Sequence, residues 1–282
     1  MLIRVHDAGV NPFDCAVRAG YVAGYFQHTL PMVLGGDVSG IIEAVGEGVT
    51  EFEPGDEVYT RADLNRDGTY AEYVTVRAAD VARKPASLDH IHAAALPHVS
   101  LTAWGTLYDT AHLAAGQTVL IHGAAGGVGH IAVQLAKLRG AKVIGTASTR
   151  NMDFLRELGV DQAVDYTAVS FEDVIQDVDV VLDTIGGDCQ ARSWQVLKPG
   201  GLLMSIIQAP SQETAEARGV RQEFATASYA VGPVLREIAA LVDSGQLKPT
   251  VSAVLPLDQA QRAHKMSESR HTRGKIVLQV IE

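Results

Sequence analysis

Cysteine is scarce in this sequence, with only Cys15 and Cys189 among 282 residues. Two distant thiols are far too few for a structural zinc lobe, and they are typical of a reducing compartment. Long apolar runs are also missing, since none approaches the roughly 20 residues needed to span a bilayer. Residues 1–7 lack the apolar core and cleavage site of a secretion signal, so we expect a cytoplasmic protein.

Basic residues are also scarce relative to acidic ones. The chain has 23 lysines and arginines against 33 aspartates and glutamates, a formal net charge of −10. We therefore expect neither nucleic acid nor an anionic membrane as a partner, because both need clustered basic residues. The sequence also lacks the G-x-S-x-G elbow of hydrolases and the G-x-x-x-x-G-K-[ST] loop of ATPases, so neither activity is supported.

The pattern along the chain predicts two domains of a globular protein. Residues 1–96 carry short strand-like runs broken by glycine and proline, which predicts a small β barrel or sandwich. The predicted strands are Leu2–His6, Ser39–Val45, Asp56–Tyr59 and Tyr70–Val76. Residues 97–249 alternate strand and helix patterns, which predicts an α/β Rossmann domain with a doubly wound parallel sheet. An amphipathic helix is predicted near its end, at Pro233–Ser244. Residues 250–282 end in a predicted strand that can rejoin the first domain. The predicted Rossmann strands are Thr118–His122, Lys142–Thr146, Gln162–Tyr166, Val178–Leu182 and Leu202–Ile207.

The most informative stretch runs from Thr118 to Gly129 and reads T-V-L-I-H-G-A-A-G-G-V-G. It predicts a strand that ends in a glycine-rich turn and opens directly into a helix. Because backbone N–H groups at a helix start are unpaired and lie at the positive end of its dipole, they can bind a pyrophosphate. A tight turn without a ligand is the alternative. The predicted cofactor contacts in this loop are Gly123, Ala125, Gly126, Gly127 and Val128.

The end of the second Rossmann strand indicates which nicotinamide cofactor binds. An NAD-specific fold carries an acid about 20 residues beyond the glycine loop, which grips the ribose 2′-hydroxyl. The matching position is Ala147, and Ser148 and Arg150 follow it. Since these two side chains can donate to a 2′-phosphate, we expect NADP(H) as the cofactor. The alternative is that Arg150 lies in solvent at a helix start.

Short motifs follow one another in order along almost the whole chain. They are Gly9–Asp14, Leu34–Gly40, Gly55–Val58, Tyr70–Tyr73, Leu101–Trp104, the glycine loop, Asp183–Gly187, Leu197–Gly201 and Gly274–Leu278. This ordered set resembles the zinc-free, zeta-crystallin-like quinone oxidoreductases of the medium-chain dehydrogenase/reductase superfamily. The resemblance implies a mostly β, GroES-like catalytic domain together with the Rossmann domain. It also implies a homodimer in which sixth strands pair near Arg221–Ala227.

The resemblance further implies contacts with the cofactor outside the glycine loop. Thr102 and the segment from Phe224 to Thr226 would approach the nicotinamide, and Ile185 lies in the family motif Asp183–Gly187. Tyr166, after the third strand, would face the adenosine phosphate. For Tyr166, ordinary packing at a strand end is the alternative.

Two features depart from the family pattern. Family members usually carry a further hairpin before the strand that begins here at Leu2, so we expect an N-terminally shortened β domain. Members also often place a tyrosine two residues after the aspartate of the Asn-Pro-x-Asp stretch. The residue at that position is Ala16, which leaves the proton donor open.

No metal site is expected. Zinc-dependent alcohol dehydrogenases of the superfamily use a cysteine and a histidine at the positions that match Asn11 and Gly36, and neither residue offers a thiolate or an imidazole. His90, His92 and His98 lie close together in sequence. Because side chains at positions i and i+2 diverge on a helix, we expect these three histidines to be solvated.

Without a metal, reducing a conjugated carbonyl is easier than oxidising an alcohol. The site then needs a hydrogen-bond donor at the substrate oxygen and a source of one proton. We expect Asn11 to be the donor and Asp14 to orient the site. The candidates for proton delivery are Tyr21 or, failing that, Tyr25 or His28.

Structural roles for the first two residues stay open. Asn11 can cap the helix that begins at Pro12, and Asp14 can pair with Arg18 one turn further on. The predicted function is therefore an NADPH-dependent reductase of a quinone or an α,β-unsaturated carbonyl. The alternatives are another hydride acceptor, such as an enoyl thioester or an aldehyde, and a non-catalytic nucleotide-binding or structural protein on the same fold.

Overall fold

The computed structural model describes residues 1–24, 30–225, 227–228 and 230–281. The chain divides into two compact units, residues 1–101 with 230–282 and residues 102–229. The strands are β1 Leu2–Val10, β2 Asp37–Ala44, β3 Glu57–Arg61, β4 Tyr73–Thr75, β5 Ala82–Arg83, β6 Thr118–Ile121, β7 Lys142–Ala147, β8 Gln162–Asp165, β9 Val178–Asp183, β10 Leu197–Ser205, β11 Arg221–Phe224, β12 Val251–Pro256 and β13 Lys275–Gln279.

The helices lie between these strands. They are α1 Pro12–Arg18, α2 His90–Ala94, α3 Pro97–Trp104, α4 Gly127–Leu138, α5 Met152–Glu157, α6 Phe171–Val174, α7 Gly187–Ser193, α8 Gln212–Arg218, α9 Val231–Asp243 and α10 Ala260–Glu268. Single 3-10 turns lie at Ala78–Asp80, Thr149–Asn151 and Leu257–Gln259, and a π-helical segment spans Gly105–Thr110. In the part of the chain that the structure describes, no helix has the length and apolar character of a membrane span.

The first unit is built around β1. In its sheet of seven described strands, β1 pairs antiparallel with β2, β4 and β13, while β12 runs parallel to β13. Ile3, Val5, Ala8 and Val10 of β1 are buried in the core of this unit. Because β1 ends at Val10 beside the start of β13, the loop after β1 lies next to a strand more than 260 residues away in sequence.

The second unit is a Rossmann sheet. Its six described strands are all parallel, in the order β11-β10-β9-β6-β7-β8. The chain moves outward from β6 to β8 and then returns to β9 on the other side of β6. In doubly wound sheets, ligands bind at the carboxyl ends of the strands where the order reverses. The glycine loop after β6 therefore lies at the expected position.

Two elements differ from the prediction. The strand predicted at Tyr70–Val76 is only Tyr73–Thr75, because the Tyr70 N–H donates to the Leu34 carbonyl (2.9 Å) in a loop. The helix predicted within the Rossmann domain at 233–244 is α9, and it lies in the first unit. There the Tyr59 hydroxyl donates to the Leu235 carbonyl (2.5 Å). An amphipathic pattern predicts a helix but not the sheet on which it packs.

Candidate active site and cofactor site

The glycine loop closes tightly against itself. Gly123 adopts φ +63°, and the Gly126 N–H donates back to the Gly123 carbonyl (2.9 Å). A Cβ on Gly129 would lie 2.2 Å from the Gly123 oxygen, so only glycine lets α4 start this close to the loop. Among the described residues, no side chain caps α4 at Gly126. The N–H groups of its first turn, at Gly127 and Val128, therefore lie at the positive end of the helix dipole, which suits a diphosphate.

His122 lies between β6 and the glycine loop, and the sequence pattern predicted only that it ends a strand. Its Nδ1 lies 3.0 Å from the Thr146 hydroxyl and its Nε2 lies 2.9 Å from the Ser193 hydroxyl. Burial lowers the pKa of His122 to about 4, so the ring is neutral at pH 7. Through these two contacts His122 links the end of β6 to β7 and α7, and so fixes the start of the glycine loop.

The turn after β9 lies beside the glycine loop. Asp183 is buried, and its carboxylate accepts hydrogen bonds from the backbone N–H groups of Ile185 (2.9 Å) and Gly186 (2.8 Å). Gln190 donates to the same carboxylate at 3.0 Å. A Cβ on Gly123 would lie 3.1 Å from the Ile185 side chain, so these two predicted cofactor residues are neighbours. The Ile185 side chain is partly exposed, as a contact with a ligand requires.

The residues predicted to recognise the 2′-phosphate follow two adjacent strand ends. Ala147 of β7 is paired with Asp165 of β8, so Ser148 and Tyr166 leave the sheet side by side. Tyr166 is half exposed, and Arg150 is exposed in the 3-10 turn Thr149–Asn151. This arrangement brings the three predicted groups to one corner of the sheet.

An acid that the sequence analysis missed lies at the same corner. The Asp165 carboxylate accepts from the Thr149 hydroxyl (2.6 Å) and from the hydroxyl (2.6 Å) and N–H (2.9 Å) of Thr167. These hydrogen bonds, with that of Thr149 the strongest, lower the pKa of Asp165, which stays ionised. Because both of its oxygens accept hydrogen bonds from threonines, Asp165 stabilises the 3-10 turn Thr149–Asn151 that contains Arg150.

The remaining cofactor residues lie apart in sequence. Thr102 is buried in α3, and Phe224 is half exposed at the end of β11. Thr226 lies outside the described residues.

In the first unit, Asn11 lies in the loop between β1 and α1. Its side-chain Nδ2 donates to Asp37 Oδ2 (3.0 Å), and its backbone N–H donates to Asp14 Oδ2 (2.8 Å). The Tyr70 hydroxyl donates to the same Asp14 oxygen (3.0 Å). Asn11 does occupy the cap position of α1, but its amide nitrogen is turned to Asp37. Asp14, Asp37 and Asn11 are all buried.

Lys275 completes this group, although its surroundings in the sequence did not indicate a site residue. Its Nζ donates to the Asn11 side-chain oxygen (2.5 Å) and to the Val10 carbonyl (2.7 Å), and it lies 3.5 Å from Asp37 Oδ2. Lys275 is only 3% exposed. The available signal was a lysine at the start of the apolar run Ile276–Leu278, although a lysine is rarely buried unless it is paired. We call Asn11, Asp14, Asp37, Tyr70 and Lys275 the Asn11 cluster.

Burial controls the ionisation of this cluster. Loss of solvent raises the pKa of Asp14 to about 7, against the downward effects of the Asn11 N–H and the Lys275 charge. Burial also raises the pKa of Asp37 and lowers that of Lys275. The cluster thus places the Lys275 side chain beside two buried acids, of which Asp14 is partly protonated near neutral pH.

The other predicted catalytic groups are not in this cluster. Tyr21 is 82% exposed, and none of the described hydrogen bonds of Asn11 and Asp14 involves it. Tyr25 and His28 lie outside the described residues. Arg18 contacts the Nδ1 of His264 (3.1 Å) and pairs with Glu268, and these contacts occupy the guanidinium that was the alternative partner of Asp14.

The donor set at the position of the superfamily zinc does not suit a metal. The Asn11 oxygen is bonded to the Lys275 ammonium, and the two Asp37 oxygens accept from the His98 N–H (2.7 Å) and from Asn11. Gly36 has no side chain. Within residues 1–24, 30–225, 227–228 and 230–281, no three His, Cys, Asp or Glu side chains are grouped to hold a metal.

The expectation that three nearby histidines are solvated was wrong for two of them. His90 stacks on His6 with ring centroids 4.3 Å apart and lies 2.8 Å from the Ser39 hydroxyl. Burial lowers the pKa of His98 to about 3. Both lie in short helices, α2 and α3, which the first unit partly buries, whereas His92 is paired with Asp89 at the surface.

Two family models match the chain: an alcohol dehydrogenase GroES-like domain over residues 1–86 and a zinc-binding dehydrogenase over residues 158–278. The chain is 34% identical over 324 residues to a mitochondrial NAD(P)H oxidoreductase of Danio rerio, covering 100% of this chain and 84% of that protein. It is 35% identical over 288 residues to the chloroplastic NADPH-dependent alkenal/one oxidoreductase of Arabidopsis thaliana, covering 99% and 71%.

A solved structure extends these matches. The Escherichia coli quinone oxidoreductase complexed with NADPH superposes with a TM-score of 0.89 at 29% identity, covering 99% of this chain and 91% of that chain. All three proteins bear names of oxidoreductases, and the similarity to each runs across both units.

Proposed function

The chain belongs to the medium-chain dehydrogenase/reductase superfamily of NAD(P)H oxidoreductases, and within it we propose an NADPH-dependent reductase of quinones or α,β-unsaturated carbonyls that works without zinc. The observation that carries the proposal is the Asn11 amide, held by Lys275 and Asp37 where zinc-dependent members have metal ligands. The names of the Arabidopsis and Escherichia coli relatives support NADPH and these acceptors.

NADPH is held by the second unit in this proposal. The N–H groups at Gly126, Gly127 and Val128 bind the diphosphate, and Ser148 with Arg150 binds the 2′-phosphate. Ala147 leaves no acid at the position that grips a 2′-hydroxyl in NAD-specific folds. Asp165, which is paired with Ala147 across β7 and β8, accepts hydrogen bonds from Thr149 and Thr167 instead.

The bound cofactor supplies a hydride, which is one hydrogen with two electrons. An enone that accepts this hydride at its β-carbon and one proton at its α-carbon becomes a saturated ketone, and a quinone that accepts both becomes a hydroquinone. Negative charge develops on the carbonyl oxygen before the proton arrives. Asn11 stabilises this charge, because its amide nitrogen has two hydrogens and only one is needed for Asp37.

In this proposal we assign proton delivery to Asp14, in addition to its orienting role. With its pKa raised to about 7 by burial, Asp14 carries a proton in a large fraction of molecules at neutral pH. Its Oδ2 accepts from Asn11 and Tyr70, so the carboxyl group is held rigidly beside the donor. The exposed Tyr21 is the alternative, as a group that exchanges protons with solvent.

A screen of hydride acceptors tests the proposal. Steady oxidation of NADPH, followed by absorbance, is expected with a naphthoquinone and with a simple enone. An Asn11→Ala variant should lose about 100-fold in kcat, which is typical of removing one oxyanion donor. The exposed Asn65→Ala serves as the matched control and should retain full activity.

Other outcomes lead to other conclusions. Turnover with an enoyl thioester or an aldehyde alone would replace the proposed acceptor class. Tight NADPH binding without turnover of any acceptor would support the non-catalytic alternative. Wild-type rates in Asn11→Ala would remove Asn11 from the mechanism.

The edge of the Rossmann sheet supports a homodimer in the proposal. Strand β11 is the last in the described order, and Arg221, Glu223 and Phe224 on it are exposed. Exposed edges are usually covered or paired. Pairing of β11 with its copy about a two-fold axis would give a continuous sheet.

A further inference from the structure

Lys275 is placed at the catalytic amide by the sheet of the first unit. It is the first residue of β13, and its neighbour Ile276 is paired with Val10 at the end of β1. Gly274 precedes it with φ +60°, and a Cβ there would lie 2.2 Å from the Thr250 carbonyl. The backbone at the start of β13 therefore packs closely against Thr250, and the Lys275 ammonium lies within hydrogen-bond distance of the Asn11 side chain.

The partners of Asn11 select one orientation of its amide. The Lys275 ammonium donates to the Asn11 oxygen, and the two Asp37 oxygens accept from the His98 N–H and from the Asn11 amide. The Asn11 oxygen therefore faces the ammonium and its nitrogen faces the carboxyl group. The flipped amide would set N–H groups against the ammonium and an oxygen against the carboxylate. This arrangement directs the second N–H of Nδ2 away from Asp37 and makes it the donor for a substrate oxygen.

We propose that Lys275 is a positioning residue for hydride transfer, which orients and polarises the Asn11 amide and supplies a fixed positive charge where zinc-dependent members use a metal. The inference rests on the proposed function, since it acts through Asn11. A hydrogen bond from an ammonium draws electron density from the amide oxygen and makes its N–H groups stronger donors. The charge acts in a buried site, where electrostatic effects are larger than in water.

The charged groups around Lys275 determine how strongly its positive charge affects the Asn11 amide. The facing groups are Asp37 on β2, Asp14 on α1, His98 on α3 and the Tyr70 hydroxyl, and the histidine and tyrosine are neutral at pH 7. Without the lysine, two buried acids and no cation would surround the amide that must stabilise a new negative charge. With it, a positive charge lies beside the amide and balances one of the two acids.

The test compares two variants that remove the charge with a control. Lys275→Met removes charge and hydrogen bond, and Lys275→Gln keeps a donor for the Asn11 oxygen but no charge. Lys265→Met, an exposed lysine on α10, is the matched control. We expect both Lys275 variants to lose about 10- to 100-fold in kcat with a quinone, while NADPH affinity changes less than about twofold.

Two further measurements separate this role from a structural one. If Lys275 acts through Asn11, the Asn11→Ala/Lys275→Gln double variant should be no slower than Asn11→Ala alone, because the effects are not additive. The high-pH limb of kcat/KM, if set by Asp14, should move to higher pH in Lys275→Gln, since the lysine charge lowers the pKa of Asp14.

The failures are distinguishable. If Asn11→Ala reduces quinones normally, the proposed function fails whatever Lys275 does. If Asn11→Ala is slow but folded Lys275→Gln keeps wild-type kcat, or if the double variant shows fully additive losses, the role of Lys275 is overturned. Should Lys275→Met lose the circular dichroism of the folded protein, the Lys275→Gln result decides.

Discussion

At the scale of single residues, the chemistry of this protein depends on burial more than on residue type. Asp14 and Asp165 are both aspartates at element ends, yet burial raises the pKa of Asp14 to about 7 while hydroxyl donors lower that of Asp165. The first can carry a proton at neutral pH and the second cannot. The roles proposed for them, proton donor for Asp14 and support of the Arg150 turn for Asp165, are based on these environments.

Asp14 predicts the pH dependence of turnover. Only the protonated carboxyl can donate, and its folded pKa is about 7, so kcat/KM should fall as the pH rises through about 7. A profile measured with saturating NADPH checks this. Asp14→Asn should be slow and lack this limb, whereas Tyr21→Phe should retain it. A limb that survives in Asp14→Asn but is lost in Tyr21→Phe would make the tyrosine the donor.

Arg150 predicts the cofactor preference. Arg150→Ala should raise KM for NADPH by at least about tenfold, since a charge-assisted hydrogen bond contributes ~1.5–3 kcal/mol. Steady-state kinetics with NADH should change little, because NADH has no 2′-phosphate. Equal effects on both cofactors would contradict the assignment. Arg156→Ala, an exposed arginine on α5, is the control.

At the scale of elements, the glycine loop and its helix form the proposed diphosphate site. The strand, turn and helix follow directly from the order of residue types in 118–138, and the structure has them at β6 and α4. The predicted Rossmann fold, the GroES-like domain and the NAD(P)H type of cofactor are confirmed by the sheet order and the relatives.

The close packing at Gly129 predicts that one added methyl group weakens cofactor binding by the loop. Gly129→Ala would place a Cβ 2.2 Å from the Gly123 carbonyl, so loop or helix must shift and NADPH affinity should fall by more than about tenfold. Fluorescence titration with NADPH measures the loss. Gly46→Ala, whose added Cβ meets nothing within 4 Å, is the control and should bind normally. Unchanged affinity in Gly129→Ala would show that the loop is not the diphosphate site.

At the scale of the whole molecule, the proposed homodimer depends on the edge strand β11. If two copies pair antiparallel about Gln222, Arg221 of each lies opposite Glu223 of the other. Arg221→Glu would then create two pairs of like charges, each costing about 0.2–1 kcal/mol, and should weaken the dimer several-fold. Sedimentation over a range of concentrations measures this.

The charge-swapped double variant provides the control for assembly. Arg221→Glu with Glu223→Arg restores opposite charges across the axis and should restore the dimer. A wild-type chain that sediments as a monomer at all concentrations would contradict the proposed assembly.

Much of the fold could be predicted from the sequence, because helix and strand periods and glycine-rich turns are local signals. The domain to which α9 belongs and the partial burial of His90 and His98 could not, since packing partners lie far away in the chain. Asn11 and Asp14 could be named as candidates from their motif. Lys275 could not, because nothing near it in sequence indicates that it ends beside Asn11.

The sequence alone determined the strand-turn-helix of the glycine loop, the missing acid at Ala147 and the lack of thiolate or imidazole at Asn11 and Gly36. These are properties of residue type and spacing, which neighbours along the chain express. The tertiary structure decided which charges meet: β13 returns to β1 and brings Lys275 to Asn11, and burial then sets the ionisation of Asp14. Electrostatics depends on distance and solvent exposure, and both exist only once the sheet has formed.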